Sequence, residues 1–252
     1  LRLKRPVLIV GRRSPIGYGG LERSLILNLL LKFINKNADY AVTNSEANIP
    51  RAISDGIDIS KVVHIGNFVA VNPNQFRNGP PNMLTLLCIA NFFEYKNHNN
   101  LVRALGQIKE DVKITFLGDG PLKPEIIQLV NSLEIDAQFL SHKEQIAVPS
   151  YEIDFLVLPS TSEGSSNALL EALAAGYPCI ATNVGSVAEL IGLGAPLIVA
   201  SGVDQDSLLE AVKMALKEKS QYMNRAAKFQ EIMNSNYGKE KIFRKWMSLL
   251  SN

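Results

Sequence analysis

Short apolar runs alternate along this chain with longer segments whose apolar residues recur at helical spacing. Val7–Val10 is a β-branched run closed by Gly11; the polar turn Arg12-Arg13-Ser14-Pro15 follows, then an apolar stretch from Leu21 to Phe33 that suits a buried helix. Asp39–Thr43 predicts a strand, Ser45 an N-cap for a helix running toward Ser54, and Val62–Ile65 another strand. The turn formers between Val71 and Asn82 break this alternation and predict a linker.

Beyond the linker the order is regular. Strands are predicted at Leu84–Ala90, Val112–Leu117, Ala137–Leu140, Phe155–Leu158, Cys179–Ala181 and Leu197–Ala200. Helices are predicted at Asn99–Gln107, Pro124–Leu133, Asn167–Ala175 and around Val187. Continuous apolar strands separated by helix-length segments imply a parallel sheet covered on both faces, the α/β doubly wound, Rossmann-like arrangement. Gln205–Leu250 reads as three helical segments, broken near Ser220 and at Asn236-Tyr237-Gly238.

Composition narrows the function. The chain has 252 residues, a net charge of +2 and no basic block interleaved with aromatics, which argues against nucleic acid as a partner. Cys88 and Cys179 lie in separate apolar runs and read as buried thiols, in keeping with a reducing cytoplasm. No apolar stretch reaches the length of a membrane span and no signal-peptide pattern opens the chain, so a soluble cytoplasmic protein is expected, with peripheral contact at the inner membrane face left open. The start at Leu1, running at once into a strand, suggests a cut inside a domain.

In an open parallel sheet, ligands bind beyond the carboxyl ends of the strands. Three such loops stand out. Pro159–Ser166 is rich in small residues, so its backbone can approach a ligand, and the helix beginning at Asn167 turns its positive end toward it. Glu163 before that helix and Glu171 two turns on could hold two ends of an elongated polar ligand; equally, Glu163 could answer the helix dipole and Glu171 be a solvated helix residue, and spacing alone favours this plainer reading. The second loop, Asn91–His98, places Lys96 before a helix, as a phosphate partner or a solvated surface lysine. The third, Gly118-Asp119-Gly120-Pro121, is at least a tight turn. His98 and His142 have plain alternatives as hydrogen-bonders at a helix start or in a loop, and His64 as a packed strand residue. Neither a metal-ligand spacing nor a Ser/His/Asp triad is visible, which disfavours hydrolase and zinc chemistry.

Taken together, PSTSEGSSNALLEALAAGYPCIATNVGSVAELI, with two glutamates separated by seven residues, IANFFEYKNHNNLVRAL and LGDGPLKPEI resemble the retaining GT-B glycosyltransferases of family 4. The resemblance covers residues 83 to about 200, and a fainter one, in ADYAVTNSEA and KVVHIGNFVAVNPNQF, covers 39 to 77. It implies a partial N-terminal, acceptor-side domain over 1–77, a nucleotide-sugar donor domain over 78–235 and a final helix over 236–252 crossing back to the first domain. It further implies that Glu163 and Lys96 are catalytic. Glu163 would contact hydroxyls of the donor sugar, Glu171 the ribose, the backbone of Gly164, Ser166, Asn167 and Ala168 the distal phosphate, and Lys96 the departing diphosphate. Asn91, Gly118, Gly120 and, through the base, His142 would complete the donor site.

Two positions depart from the family. Asn91 stands where many members carry an arginine, and Asn67-Phe68-Val69-Ala70 replaces the interdomain Asn-Gly-Val-Asp pattern. The implied reaction is transfer of a sugar from a nucleotide diphosphate sugar, a UDP-sugar, to a saccharide or lipid-linked acceptor with retention, needing no cofactor and no metal. A non-catalytic nucleotide-sugar-binding module and a GT-B-fold epimerase are the alternatives.

Overall fold

The computed structural model describes residues 7–13, 25–69, 76–77, 79–141 and 151–251. Its larger sheet has six parallel strands: β5 (Leu84–Ile89), β6 (Val112–Leu117), β7 (Asp136–Leu140), β9 (Phe155–Leu158), β10 (Cys179–Thr182) and β11 (Leu197–Ala200). They lie in the order β11-β10-β9-β5-β6-β7. From β5 the chain winds outward through β6 to β7, then restarts at β9 on the other side and winds outward to β11. That reversal makes the crevice between β5 and β9 the topological switch point, where doubly wound sheets hold ligands.

The apolar runs form strands because both faces of this sheet are covered. Side chains alternate across the sheet, so Leu84, Leu86 and Cys88 join one core with Phe116, Phe155 and Ile180, beneath α3 (His98–Leu105) and α4 (Lys123–Ser132). Leu87, Leu156, Leu158 and Cys179 face the other core with α5 (Asn167–Ala174) and α6 (Val187–Gly192). Both cysteines are free and buried; burial pushes the Cys88 thiol up to about 12. Helix α7 (Gln205–Tyr237) serves both cores, Leu208, Val212 and Tyr222 entering the first and Phe229, Met233 and Tyr237 the second. Its φ/ψ leave helical values at Glu218 (φ −115°, ψ 17°), two residues before the predicted break near Ser220.

A smaller parallel sheet holds β1 (Ile9–Arg12), β2 (Tyr40–Thr43) and β3 (Val62–His64), in that order. Helix α1 (Leu25–Asn37) links β1 to β2. Helix α8 (Lys239–Ser251) leaves α7 at Gly238 and packs Ile242, Trp246 and Leu249 against Val42 and Ile65 of the smaller sheet. The two crossings between the sheets run side by side: Val69 N–H donates to the Tyr237 carbonyl at 2.9 Å, and Val69 forms a parallel bridge with Gly238.

Two local expectations are corrected. Ser45 has the extended backbone of a cap, but its side chain caps nothing, and a 3-10 turn at Glu46–Asn48 precedes the short helix α2 (Ile49–Ser54); the Ser45 hydroxyl is buried instead. Within the expected linker, β4 (Phe76–Arg77) pairs in parallel with β8 (Tyr151–Glu152). Residues 71–75 and 78 of that linker, and residues 21–24 of the first predicted helix, lie outside the described residues.

Candidate functional site

The loops after β5, β6, β9 and β10 meet at one end of the larger sheet. After β5, residues 94–96 form a single 3-10 turn that ends at Asn97, in the left-handed region at φ 58°. The Asn97 amide donates to the carbonyls of Pro159 (2.9 Å) and Val203 (2.7 Å), and Thr161 N–H donates to the Tyr95 carbonyl at 2.8 Å. These bonds span the crevice and bring Lys96 to Glu163: Nζ lies 2.6 Å from Oε1, with the side chains 16% and 11% exposed. Ser160, wholly buried, donates its hydroxyl to the same Glu163 oxygen at 2.7 Å. The solvated-lysine reading is therefore overturned. Lys96 is a held cation, paired across 67 residues of sequence.

Small residues let the loops close. A Cβ on Gly118 would run into the Ala90 carbonyl and one on Gly120 into the Phe92 backbone, because Phe92 N–H donates to the Asp119 carbonyl at 3.0 Å. Asn91 Oδ1 accepts from Asp119 N–H at 3.5 Å, so Asn91, Gly118 and Gly120 form one joint between the loops after β5 and β6. Lys123 Nζ fastens that joint by donating to the Gly118 carbonyl at 3.0 Å and contacting Asp119. Gly164 packs on the Arg13 carbonyl and the Asn48 amide of the smaller sheet's loops, where any side chain would collide.

Ser166 caps α5, its hydroxyl accepting from Leu169 N–H at 3.4 Å. The N–H groups of Asn167 and Ala168, in the first turn, have no partner inside the helix by its geometry, and they give the loop a partial positive charge. Asn67, from the crossing between the sheets, reaches this helix start: Nδ2 donates to Asn167 Oδ1 at 2.7 Å and to the Ser165 carbonyl at 3.5 Å.

Glu171 lies one turn beyond Asn167, apart from the Lys96–Glu163 pair. Both Asn167 and Glu171 line a cleft of about 750 Å³ between the two sheets, with Arg13, Asn44, Asn67 and Trp246 on its other walls. The residue is exposed at the cleft mouth, yet the walls strip enough water from its carboxyl to raise it above the ordinary carboxylate value. His142 lies outside the described residues. His98 is no surface hydrogen-bonder: it stacks on Phe92 with centroids 4.4 Å apart, and burial, then Lys96, lower its pKa to about 4. Residue pattern alone did not single out Ser160, Asn97 or Asn67, because a serine beside a proline or an asparagine before a helix is commonplace until its partner is known.

A fixed cation, a helix start and two carboxylates around a crevice suit a ligand that carries both phosphate and hydroxyl groups. Among the described residues, no group of three or more His, Cys, Asp or Glu side chains could hold a metal ion. No helix among them is long and apolar enough to cross a membrane.

Known proteins are similar to this chain in sequence and in fold. N-acetyl-alpha-D-glucosaminyl L-malate synthase of Bacillus anthracis is 31% identical over 161 residues, 62% of this chain and 42% of that protein. The N-acetylgalactosamine-N,N'-diacetylbacillosaminyl-diphospho-undecaprenol 4-alpha-N-acetylgalactosaminyltransferase of Campylobacter jejuni is 25% identical over 213 residues, 81% of this chain and 58% of that protein. The chain thus spans about half the length of these curated relatives. Anabaena HepE, solved with UDP and glucose, superposes with a TM-score of 0.81 at 18% identity, covering 98% of this chain and 72% of that one. The fold is accordingly that of the GT-B glycosyltransferases. The family model for glycosyl transferases group 1 matches residues 73–232, which take in the whole six-stranded sheet and every loop of the crevice, and the chain belongs to that family.

Proposed function

We propose that this chain carries the donor site of a retaining glycosyltransferase that moves a sugar from a UDP-sugar to a saccharide or lipid-linked saccharide in polysaccharide synthesis. The observation that carries the reading is the Lys96–Glu163 pair, set across the switch-point crevice beside the start of α5. Glu163 accepts hydroxyls of the sugar. Lys96 and the first amides of α5 neutralise the diphosphate as it leaves, since charge gathering on a leaving group is stabilised best by donors already in place. Glu171, facing the cleft, takes the ribose. Asn91, Gly118 and Gly120 shape the floor beside the diphosphate, and the base is assigned to His142 by the family resemblance alone. On this reading residues 1–77 are acceptor-side, residues 78–235 donor-side, and residues 236–252 return to the acceptor side. The loss of a nucleoside diphosphate needs no metal where a lysine and helix amides supply the charge.

Similar proteins support the reading: HepE was solved with UDP and with UDP-glucose, which bears on the donor, and the Campylobacter relative is named for a diphospho-undecaprenol, which bears on the acceptor. Isothermal titration of the intact chain with UDP tests the reading. Binding is expected, weakened about tenfold in Glu171→Ala, as for one lost hydrogen bond to a charged group. No binding, or binding indifferent to both Glu171→Ala and Lys96→Ala, would sink it.

A further inference from the structure

Glu189 lies near the end of the sequence segment that carries the family resemblance, yet the donor site leaves it without a task. It sits in the first turn of α6, and its carboxylate reaches across to the smaller sheet. Oε1 accepts the Glu46 N–H at 2.6 Å, and Oε2 lies 3.4 Å from His64 Nε2 at the end of β3. On the other side, α6 is preceded by the turn at Gly185 (φ 57°), which presses on Glu163 so closely that a Cβ there would clash with the Gly164 carbonyl and crowd Glu163 Cβ. Gly164 in turn rests on Arg13 and Asn48. The Glu163 loop is therefore clamped between the Gly185 turn and the loops of the smaller sheet, and Glu189 ties those two jaws together.

We propose that Glu189 is a positioning residue: it fastens α6 to the smaller sheet and so holds the Glu163–Gly164 loop in the shape that receives the donor sugar. The proposal rests on the reading of Glu163 as a donor-sugar ligand. Its contact with His64 has a chemical signature. The His64 ring donates to the Asn44 backbone and Nε2 has no hydrogen-bond partner, so the neutral ring keeps its proton on Nδ1 and the bare Nε2 faces a carboxylate oxygen: two acceptors meet in a poorly hydrated site. They attract only if one proton lies between them. Desolvation favours the neutral form of each, lowering the His64 pKa and raising that of Glu189, so the shared proton is the arrangement burial prefers. The other groups facing the pair are Glu46, 4.0 Å from His64 Nδ1, Lys245 of α8, and Tyr237 at the end of α7. As pH rises and the proton leaves, the two acceptors repel and the clamp loosens.

Glu189→Gln replaces the shared proton by an amide N–H that donates to His64 Nε2, while its carbonyl still accepts from Glu46 N–H. Glu189→Ala removes both bonds. The test is amide hydrogen exchange of the intact chain read peptide by peptide, with UDP and UDP-glucose affinities measured alongside. In Glu189→Ala, exchange should rise about tenfold in residues 44–48 and 160–166 and stay unchanged in 112–117, the effect of one lost charge-assisted bond at a local opening. UDP-glucose affinity should fall more than UDP affinity, since Glu163 serves the sugar. Glu189→Gln should restore both and abolish the loss of protection that the wild type shows as pH rises and the shared proton leaves, each rate being divided by the intrinsic base-catalysed rate at that pH. Unchanged exchange at 160–166 in Glu189→Ala, or a pH dependence of protection that survives in Glu189→Gln, overturns the proposal; should the alanine variant fail to fold, the glutamine variant decides by the pH profile of its protection. A wild type that binds no UDP refutes the donor reading instead, and with it the sugar-positioning part, while the exchange arm still reports on the clamp.

Discussion

Two ion pairs stand at opposite ends of β5 and β9, one joining the loops that follow these strands and one joining the start of β9 to α7, and they do different work. At the carboxyl ends, Lys96 meets Glu163 with both side chains partly reachable by solvent. At the amino ends, Asp154 is fully buried: its Oδ2 accepts from Thr85 N–H (2.9 Å) and Thr85 Oγ1 (3.0 Å) and lies 2.8 Å from Lys219, just past the bend in α7. Lys219 also donates to the carbonyls of Pro80 and Met83, tying the start of β5 to the helix. The chemistry is the same, but the surroundings are not. Asp154 looks into packed structure and can serve only the fold, whereas Glu163 stands beside glycine loops and a helix start where a ligand fits.

The largest expected effect lies at the buried end. Lys219→Met strands the Asp154 carboxylate without its cation and should cost about 3–5 kcal/mol in urea unfolding, while the folded fraction keeps its UDP affinity; a loss of affinity without a loss of stability would erase the contrast between the pairs. Acid should strike the site end. His98 is ordinarily protonated below about 6.5 in the unfolded chain but only below about 4 in the folded one, so the unfolded state binds more protons in that window and stability falls as pH drops through it, by up to about 3 kcal/mol. His98→Phe, which preserves the stack on Phe92, should flatten that part of the pH–stability curve.

Next come the site residues themselves. On the proposed function, Glu163→Gln and Lys96→Met should each lower sugar transfer about 100-fold, or ~2.7 kcal/mol of barrier, and each should cost less stability in urea than Lys219→Met; a destabilisation as large as that of Lys219→Met would make the two ends alike. The smallest effect is expected at Ser160→Ala, which removes one hydrogen bond to Glu163 and should cost about 1 kcal/mol of stability and weaken UDP-glucose binding only severalfold.

The strands were legible wherever they are buried on both sides. Phe155–Leu158 matches the observed strand end to end because a fully covered parallel strand is simply an unbroken apolar run; Val112–Leu117 and Leu197–Ala200 match as well, although Lys113 and Thr115 interrupt the first and Val199 is exposed in the second. Helix ends were displaced by a residue or two, as at His98, where the left-handed Asn97 starts α3 one residue before the apolar periodicity suggests. β4 was hidden among turn formers, since two residues paired with a distant strand leave no periodic trace. At the site, the loops and the two glutamates were visible as a pattern of small residues, but the Lys96–Glu163 bond was not: its partners are 67 residues apart and meet only because the sheet reverses direction between them. Asp154 and Lys219 were illegible for the same reason, one aspartate and one lysine among fifty charged side chains.

The bond between Val69 and Tyr237 bears on how the two sheets can move. The chain passes from one sheet to the other twice, and both passages are laced together at Val69–Gly238. Two separate strings would let the halves swivel and slide in several directions. Laced into one ribbon, they leave bending across the ribbon as the soft motion, so opening and closing of the cleft should follow a single arc, with Glu171 and Trp246 approaching or parting along the same path each time.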